Sequence, residues 1–220
     1  MPGGAQRARA LALVIIAALL VFGPGLVGAF VWDDHGLIVS NTFLHDLGNL
    51  PRLLRGDFWA ISANSETGEF LSHSYWRPVV TLAYALEYWC FGLTPLGYHA
   101  VNLALHVACG LLTFGFLRRR LPSTDARARD LAAAIGALLF TVHPSRPESV
   151  TWISGSTDLW MALWVLLAAR TLDGDLPRRG FIAGGLCALG LLSKEVALVA
   201  PALFVADAWL LERPAPQRRE

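Results

Sequence analysis

The stretch LALVIIAALLVFGPGLVGAFV, residues Leu11–Val31, decides the fold, because it carries no charge and follows a basic N-terminus. A helix of about 20 apolar residues is long enough to cross the hydrocarbon core of a bilayer. A secretory signal peptide is the alternative, since Val27-Gly28-Ala29 would serve as a small-residue cleavage site. We interpret the segment as a membrane anchor because further apolar blocks follow it. Either interpretation places Asp33 and Asp34 outside the cytoplasm.

The composition of the whole chain also indicates a membrane protein. Hydrophobic residues make up 55% of the 220 residues and charged residues 16%, with a mean hydropathy of +0.48. A soluble domain is usually about 45–50% apolar and about 25% charged. The net charge of +1 provides no broad basic surface, so we expect no nucleic-acid partner. Cys90, Cys109 and Cys187 lie far apart, which predicts neither a disulfide framework nor a zinc site.

The distribution of basic residues predicts which of the later apolar blocks cross the membrane. These blocks are Val79–Leu93, Leu96–Leu117, Leu131–Val142, Trp160–Ala169, Phe181–Leu192 and Val196–Leu211. The first contains Glu87 and lies between two prolines, so we place it outside the bilayer core. If the others cross, most of the 18 lysines and arginines stay cytoplasmic, as the positive-inside rule requires. The sequence therefore predicts an all-α, polytopic transmembrane bundle of about six spans with both termini cytoplasmic.

We treat the chain as one membrane domain with a first span (residues 11–31), a large extracytoplasmic loop (32–95) and further spans (96–212). Tryptophans and leucines at helical spacing predict interfacial or re-entrant helices within that loop. The blocks at 131–142 and 181–192 are short for a bilayer and require flanking residues or local thinning. We predict a break at Ser193–Glu195, because one helix through it would bury Lys194 at membrane depth.

Five short motifs occur in order along the chain and converge on the predicted outer face. They are Phe30-Val31-Trp32-Asp33-Asp34, Tyr75-Trp76-Arg77-Pro78, Gly97-Tyr98-His99 with Asn102 and His106, His143-Pro144 with Glu148, Trp152, Ser154-Gly155 and Asp158, and Ser193-Lys194-Glu195. This ordered set resembles the N-terminal half of the transmembrane-and-TPR O-mannosyltransferase-like proteins. These belong to the C-type (GT-C) glycosyltransferase superfold, together with the protein O-mannosyltransferases. The resemblance covers Ala29 to about Pro201.

The resemblance implies an enzyme that moves a hexose, with mannose as the family's sugar, from a polyprenyl-phosphate donor. The acceptor would be a hydroxyl of a protein or glycan on the extracytoplasmic face. It also implies that an acidic residue after the first span is catalytic, which maps to Asp34, our preferred candidate, or Asp33. Arg77 would bind the donor phosphate bidentately and Lys194 would act as a point charge. His99, His143, Glu148 and Glu195 are supporting candidates.

Simpler roles stay open for these residues. The acidic pair would suit the N-terminus of an interfacial helix, and Arg77 would suit snorkelling to the membrane interface. We expect His99, Asn102 and His106 to form hydrogen bonds between helices. Lys194-Glu195 equally fits a structural ion pair that steadies the last outer turn.

A divalent metal would find oxygen and nitrogen ligands at the acidic pair, His143 and Glu148, but no HxxH or HExxH spacing supports it. We therefore assign no metal ligands and no certain cofactor, and a divalent metal stays an open alternative that the spacing does not support. The expected partners are a lipid-linked sugar donor, a protein or glycan acceptor and membrane lipids.

Two other classes of function fit parts of the sequence. A transporter or channel subunit is suggested by Glu87 and by the polar residues His99, Asn102 and His106 in one predicted span. A non-catalytic or truncated module is suggested because the related enzymes carry further spans, whereas this sequence stops at a basic tail after Glu212. The Ala- and Leu-rich N-terminus without an organelle signal favours a bacterial inner membrane.

Overall fold

The computed structural model describes residues 2–56, 58–59, 75–121, 125–174 and 176–210, and every regular element in these ranges is helical. The α-helices are α1 (Pro2–Phe22), α2 (Leu50–Leu53), α3 (Pro78–Phe91), α4 (Pro95–Arg120), α5 (Ala126–Thr141), α6 (Pro147–Val150), α7 (Ser156–Leu172), α8 (Arg179–Leu191) and α9 (Ala200–Leu210). The all-α prediction is confirmed for this part of the chain. The basic tail and residues 60–74 of the predicted outer loop lie outside the described residues.

Two helices, Gly4–Val27 and Pro95–Arg120, are long and apolar enough to cross a membrane. The apolar helix Arg179–Leu191 is shorter than that criterion requires. The segment that we placed outside the bilayer core is α3, whose 14 residues also fall short of a span. Two crossings are therefore supported by length and composition, and a larger number remains a prediction.

Ion pairs bring one set of helix ends together. Arg7 in α1 and Arg118 at the end of α4 both contact Asp130 near the start of α5. Arg120, also at the end of α4, bonds to Asp173 after α7 (3.0 Å) and to Asp207 in α9 (2.6 Å). The starts of α1 and α5 thus meet the ends of α4, α7 and α9. Consecutive long helices run antiparallel, and the basic clusters of the sequence collect at this end, which we call the arginine end.

Small residues allow the long helices to approach closely. A Cβ added at Gly110 of α4 would lie 2.7 Å from the Thr141 hydroxyl of α5, and one at Gly136 would lie 2.5 Å from the Leu117 side chain. Helix pairs in membranes favour small residues at contacts because lipid offers no hydrophobic drive between helices, so close packing must supply the attraction. The sequence chemistry of α1, α4 and α5 therefore suits a membrane bundle.

The break at Ser193–Glu195 is confirmed. Helix α8 ends at Leu191, a 3₁₀ turn covers Glu195–Val199, and α9 begins at Ala200. The N–H of Val79 at the start of α3 donates to the Leu192 carbonyl (3.3 Å), which places α3 beside the end of α8. The predicted outer elements therefore meet at the end of the bundle opposite the arginine end.

The described residues of the predicted outer loop that precede α3, residues 32–56 and 58–59, are less helical than their leucine spacing predicts. They contain a π-helical turn (His35–Val39), a 3₁₀ turn (Leu47–Asn49) and the single-turn helix α2. Leu44 and Leu53 are buried in a core with Tyr84 of α3, rather than presented to a lipid surface. The leucines recur at helical spacing, but in the structure they pack against α3.

Candidate functional site

A cavity of about 150 Å³ lies at the end of the bundle opposite the arginine end. Its lining comes from the segment after α1, the start of α3, the α6–α7 region and the segment after α8, and it consists of Asp33, Leu37, Phe58, Trp59, Arg77, Glu148, Trp152, Ser154, Gly155, Thr157, Asp158 and Lys194. Four predicted site residues therefore meet here: Asp33, Arg77, Glu148 and Lys194. Asp34, His99, His143 and Glu195 are not part of the lining.

Asp34 is fully buried beneath the cavity. Its Oδ2 accepts a hydrogen bond from the Val31 N–H (2.9 Å), and its Oδ1 accepts from the Ser154 N–H (2.8 Å) and from the Ser154 hydroxyl. The π-helical turn at His35–Val39 receives no side-chain cap from Asp34. The Asp34 carboxylate therefore bonds both to the start of its own helical turn and to a residue 120 positions away.

Asp33, by contrast, is partly exposed and lines the cavity. Partial burial and the neighbouring charge of Asp34 raise the pKa of Asp33 above its ordinary value. The preceding residue, Trp32, has a backbone φ of +47°, a left-handed conformation that is uncommon for a bulky residue. The Trp32 ring packs edge-on against Trp152, with centroids 5.9 Å apart. The turn thus aims two adjacent aspartates in different directions.

Arg77 joins the start of α3 to the segment after α8. Its Nη2 donates to both carboxylate oxygens of Glu195 (2.8 and 3.0 Å), and its guanidinium stacks on the rings of Tyr75 and Phe58. Only 12% of the Arg77 side chain is exposed, so its guanidinium is held mainly by protein groups. Partial burial alone would raise the pKa of Glu195, but the hydrogen bonds from Arg77 hold that pKa below its ordinary value.

Lys194 pairs with Asp158 near the start of α7, with 2.6 Å between Nζ and Oδ1. Lys194 and Glu195 therefore form ion pairs with other segments of the chain instead of with each other. Each cation of the cavity is already bonded to a carboxylate, so an anionic ligand would have to share or displace that partner.

The two histidines among the candidates stay outside the cavity. His99 is buried in α4 against Gly28, where an added Cβ would lie 2.8 Å from the ring Nε2. His143 is exposed, and its Nδ1 lies 2.8 Å from the Ser145 hydroxyl. Among the described residues, no group of three or more His, Cys, Asp or Glu side chains is arranged to hold a metal ion.

Two polar residues of α4, Asn102 and His106, form the predicted hydrogen bonds to neighbouring segments. Asn102 donates to the carbonyls of Trp152 (3.2 Å) and Ile153 (3.4 Å), and the His106 Nε2 lies 2.9 Å from the Thr141 carbonyl. Because Asn102 and His106 bond to backbone groups of neighbouring segments, they give the transporter interpretation little support.

Sequence reasoning missed Tyr84 and Ser156. The Tyr84 hydroxyl lies 3.0 Å from the Ser156 hydroxyl and 3.4 Å from the Ile153 carbonyl. Both residues are buried at this end of the bundle. The one available signal was the hydroxyl group of Tyr84 within a largely apolar stretch, since a buried tyrosine hydroxyl usually finds a partner.

Comparison with known proteins places the chain beside one group of enzymes. No family model and no solved structure matches it. It is 36% identical over 187 residues to the protein O-mannosyl-transferase Tmtc1 of Drosophila melanogaster, covering 83% of this chain and 21% of that protein. It is 37% identical over 178 residues to TMTC1 of Mus musculus (77% and 18% coverage) and 33% identical over 164 residues to TMTC4 of Mus musculus (71% and 22%).

The chain spans about a fifth of the length of these curated relatives, which come from animals. They give no support to the expectation of a bacterial inner membrane. They do support the resemblance that the ordered motifs indicated, because the match extends over most of the chain. The chain is a homologue of the protein O-mannosyl-transferases of the TMTC type.

Proposed function

We propose that this chain is the catalytic membrane region of a GT-C glycosyltransferase that transfers mannose from a polyprenyl-phosphate carrier to an acceptor hydroxyl, on a protein or glycan, at the extracytoplasmic face. The observation that carries the proposal is the meeting of Asp33, Arg77, Glu148 and Lys194 in one cavity, although they come from distant segments. The homology to proteins named O-mannosyl-transferases supports the sugar and the reaction type.

Asp33 is the proposed general base, because it lines the cavity while both carboxylate oxygens of Asp34 are hydrogen-bonded within the protein. The acceptor oxygen forms a bond to the anomeric carbon as its proton passes to Asp33. The bond between that carbon and the carrier phosphate breaks, and the phosphate leaves with the electron pair. With one carboxylate and an in-line leaving group, the anomeric configuration inverts.

The leaving phosphate needs cationic partners, and Arg77 and Lys194 are the cations that line this cavity. A guanidinium binds phosphate bidentately, whereas an ammonium acts as a point charge. In the structure, Arg77 donates to the two carboxylate oxygens of Glu195, and two oxygens of a phosphate group would present acceptors in a similar arrangement. We therefore propose that the donor phosphate exchanges with Glu195 at Arg77 and with Asp158 at Lys194.

We further propose that α1, α4, α5, α7, α8 and α9 cross the membrane with the arginine end in the cytoplasm. Their antiparallel order and the collection of arginines at one end support this orientation. Helices α5, α8 and α9 are short for a bilayer of about 30 Å, so flanking residues or local thinning must complete their spans.

The test is transfer of radiolabelled mannose from polyprenyl-phosphate mannose by membranes that express the chain. Asp33→Asn should lower the rate about 10²- to 10⁴-fold, the usual contribution of a general base. His143→Ala, at an exposed residue outside the cavity, should transfer at the parent rate. Parent-level transfer by the Asp33→Asn variant would refute the catalytic assignment.

A second candidate function is a donor-binding module without catalysis. The cavity of about 150 Å³ is smaller than the roughly 300–1,000 Å³ of most small-molecule sites. A module of this kind would be photolabelled by a polyprenyl-phosphate probe in an Arg77-dependent manner, yet its membranes would transfer no mannose. That pair of results would favour the module over the enzyme.

A further inference from the structure

The turn Trp152–Ser156 is a polar hub that three other parts of the chain hold in place. The Asp34 carboxylate accepts from the N–H and hydroxyl of Ser154. Asn102 of α4 donates to the carbonyls of Trp152 and Ile153. Tyr84 of α3 bonds to the Ile153 carbonyl and the Ser156 hydroxyl. The outer loop, α3 and α4 therefore converge on one turn.

This hub also forms a wall of the cavity, since Trp152, Ser154 and Gly155 line it. Asp33, the residue before Asp34, lines the same cavity. The hydrogen bonds of the Asp34 side chain therefore fix the backbone next to Asp33. The Val31 N–H, on the other side of Asp33, also donates to Asp34. Asp34 therefore ties both the chain before Asp33 and the opposite cavity wall to one buried carboxylate.

We propose that Asp34 is a positioning residue for the transfer reaction: through its hydrogen bonds to Val31 and Ser154 it holds the Asp33 carboxylate against the cavity. This inference rests on the proposed function. It gives the two adjacent aspartates different tasks, with Asp33 contacting the acceptor and Asp34 contacting only protein.

The negative charge of Asp34 also acts directly on the Asp33 carboxyl group. Burial and the Asp34 charge both raise the pKa of Asp33. The other charged groups lining the cavity are the carboxylates of Glu148 and Asp158 and the cations Arg77 and Lys194, and Asp34→Asn does not alter the chemical identity of any of them. Asp34→Asn should therefore lower the pKa of Asp33, whereas Ser154→Ala leaves the Asp34 charge and should not lower it.

The first experiment reads Asp33 without any activity. Carboxyl groups of the full chain in nanodiscs are labelled with a carbodiimide and an amine probe across a pH series, and the peptide containing residues 33–34 is quantified by mass spectrometry. We expect labelling at Asp33 and not at Asp34, with a midpoint that moves to lower pH in Asp34→Asn. An unmoved midpoint, or preferential labelling of Asp34, would overturn the inference.

Asn41→Ala is the matched control. Asn41 is a buried polar residue of the same loop, but its bonds go to Leu37 and Leu44 within that loop and not to the hub. It should lower the melting temperature and leave the Asp33 labelling midpoint unchanged. A shifted midpoint in Asn41→Ala would show that general loosening of the loop, rather than the Asp34 charge, controls Asp33.

The second experiment is a double-mutant cycle on transfer. Asp34→Asn and Ser154→Ala should each lower kcat, by about 10- to 100-fold for the loss of a hydrogen bond to a charged group, with little change in donor KM. The double variant should be no slower than the slower single variant, because both remove one linkage. Independent, multiplicative losses would refute the linkage, whereas absence of transfer in the parent would refute only the proposed function.

Discussion

Gly155→Ala offers a sharp test of the cavity wall, because the backbone of α6 passes directly over Gly155. A Cβ built there would overlap the Glu148 carbonyl oxygen and lie 3.0 Å from the Glu148 carbonyl carbon and 3.1 Å from the Ser149 Cα. These neighbours are backbone atoms, so no side-chain rotation relieves the overlap. The φ of Gly155 is −68°, so the substitution is not disfavoured by backbone conformation, and packing alone decides the outcome.

Helix α6 would have to move away by roughly 1 Å, and overpacking of this kind costs about 1–3 kcal/mol. We expect the upper end, about 3 kcal/mol, since the obstacle is rigid backbone. A chain of this size loses about 2–4 °C in melting temperature per kcal/mol, so the predicted loss is about 6–12 °C. The same movement would carry Glu148 and Ser154 apart and lower any mannose transfer.

The assay is the loss of a monodisperse gel-filtration peak after heating fluorescently tagged protein in nanodiscs. Gly115→Ala is the control, because an added Cβ in that part of α4 has nothing within 4 Å. Alanine is favoured over glycine in a helix by about 1 kcal/mol, so this variant should melt at or above the parent temperature. A Gly155→Ala protein that melts with the parent would show that α6 does not lie against Gly155.

Three further predictions follow from the ion pairs, the buried acid and the helix order. Glu195→Gln weakens the ion pair that competes with a phosphate for Arg77, so a fluorescent polyprenyl phosphate should bind up to about fivefold more tightly. Weaker binding would show that Arg77 has only a structural role. Burial raises the pKa of Glu87 to about 8, so the melting temperature of the protein should fall as the pH rises from about 4.5, the pKa of Glu87 in the unfolded chain, through 8. This fall should be absent from the Glu87→Gln variant, and a parallel decline in both proteins would contradict the prediction. In a cysteine-free background, an impermeant maleimide applied from the extracytoplasmic side should label Ser145→Cys and not Ala126→Cys, because these residues lie at opposite ends of α5. Labelling of both would show that α5 does not cross the membrane.

Much of the helical architecture was predictable from local chemistry. Apolar blocks bounded by prolines and charges predict where helices begin and end, because backbone groups in an apolar medium must bond within their own segment. The charges of Lys194 and Glu195 predicted the interruption between α8 and α9, because a charged side chain is costly at membrane depth. The convergence of Asp33, Arg77, Glu148 and Lys194 was also predictable, since the order of apolar blocks assigns their segments to one face.

The sequence by itself determined an all-α chain with two helices of membrane length and a group of acids and cations that the order of its apolar blocks assigns to one end of the bundle. Tertiary structure alone decided which of two adjacent aspartates enters the cavity, that Arg77 is bound by Glu195, and that His143 stays outside. The physical reason is that a side chain's direction depends on partners far along the chain. Asp34 turns inward because Ser154 supplies two of its hydrogen-bond donors, and no local pattern around Asp34 encodes that contact.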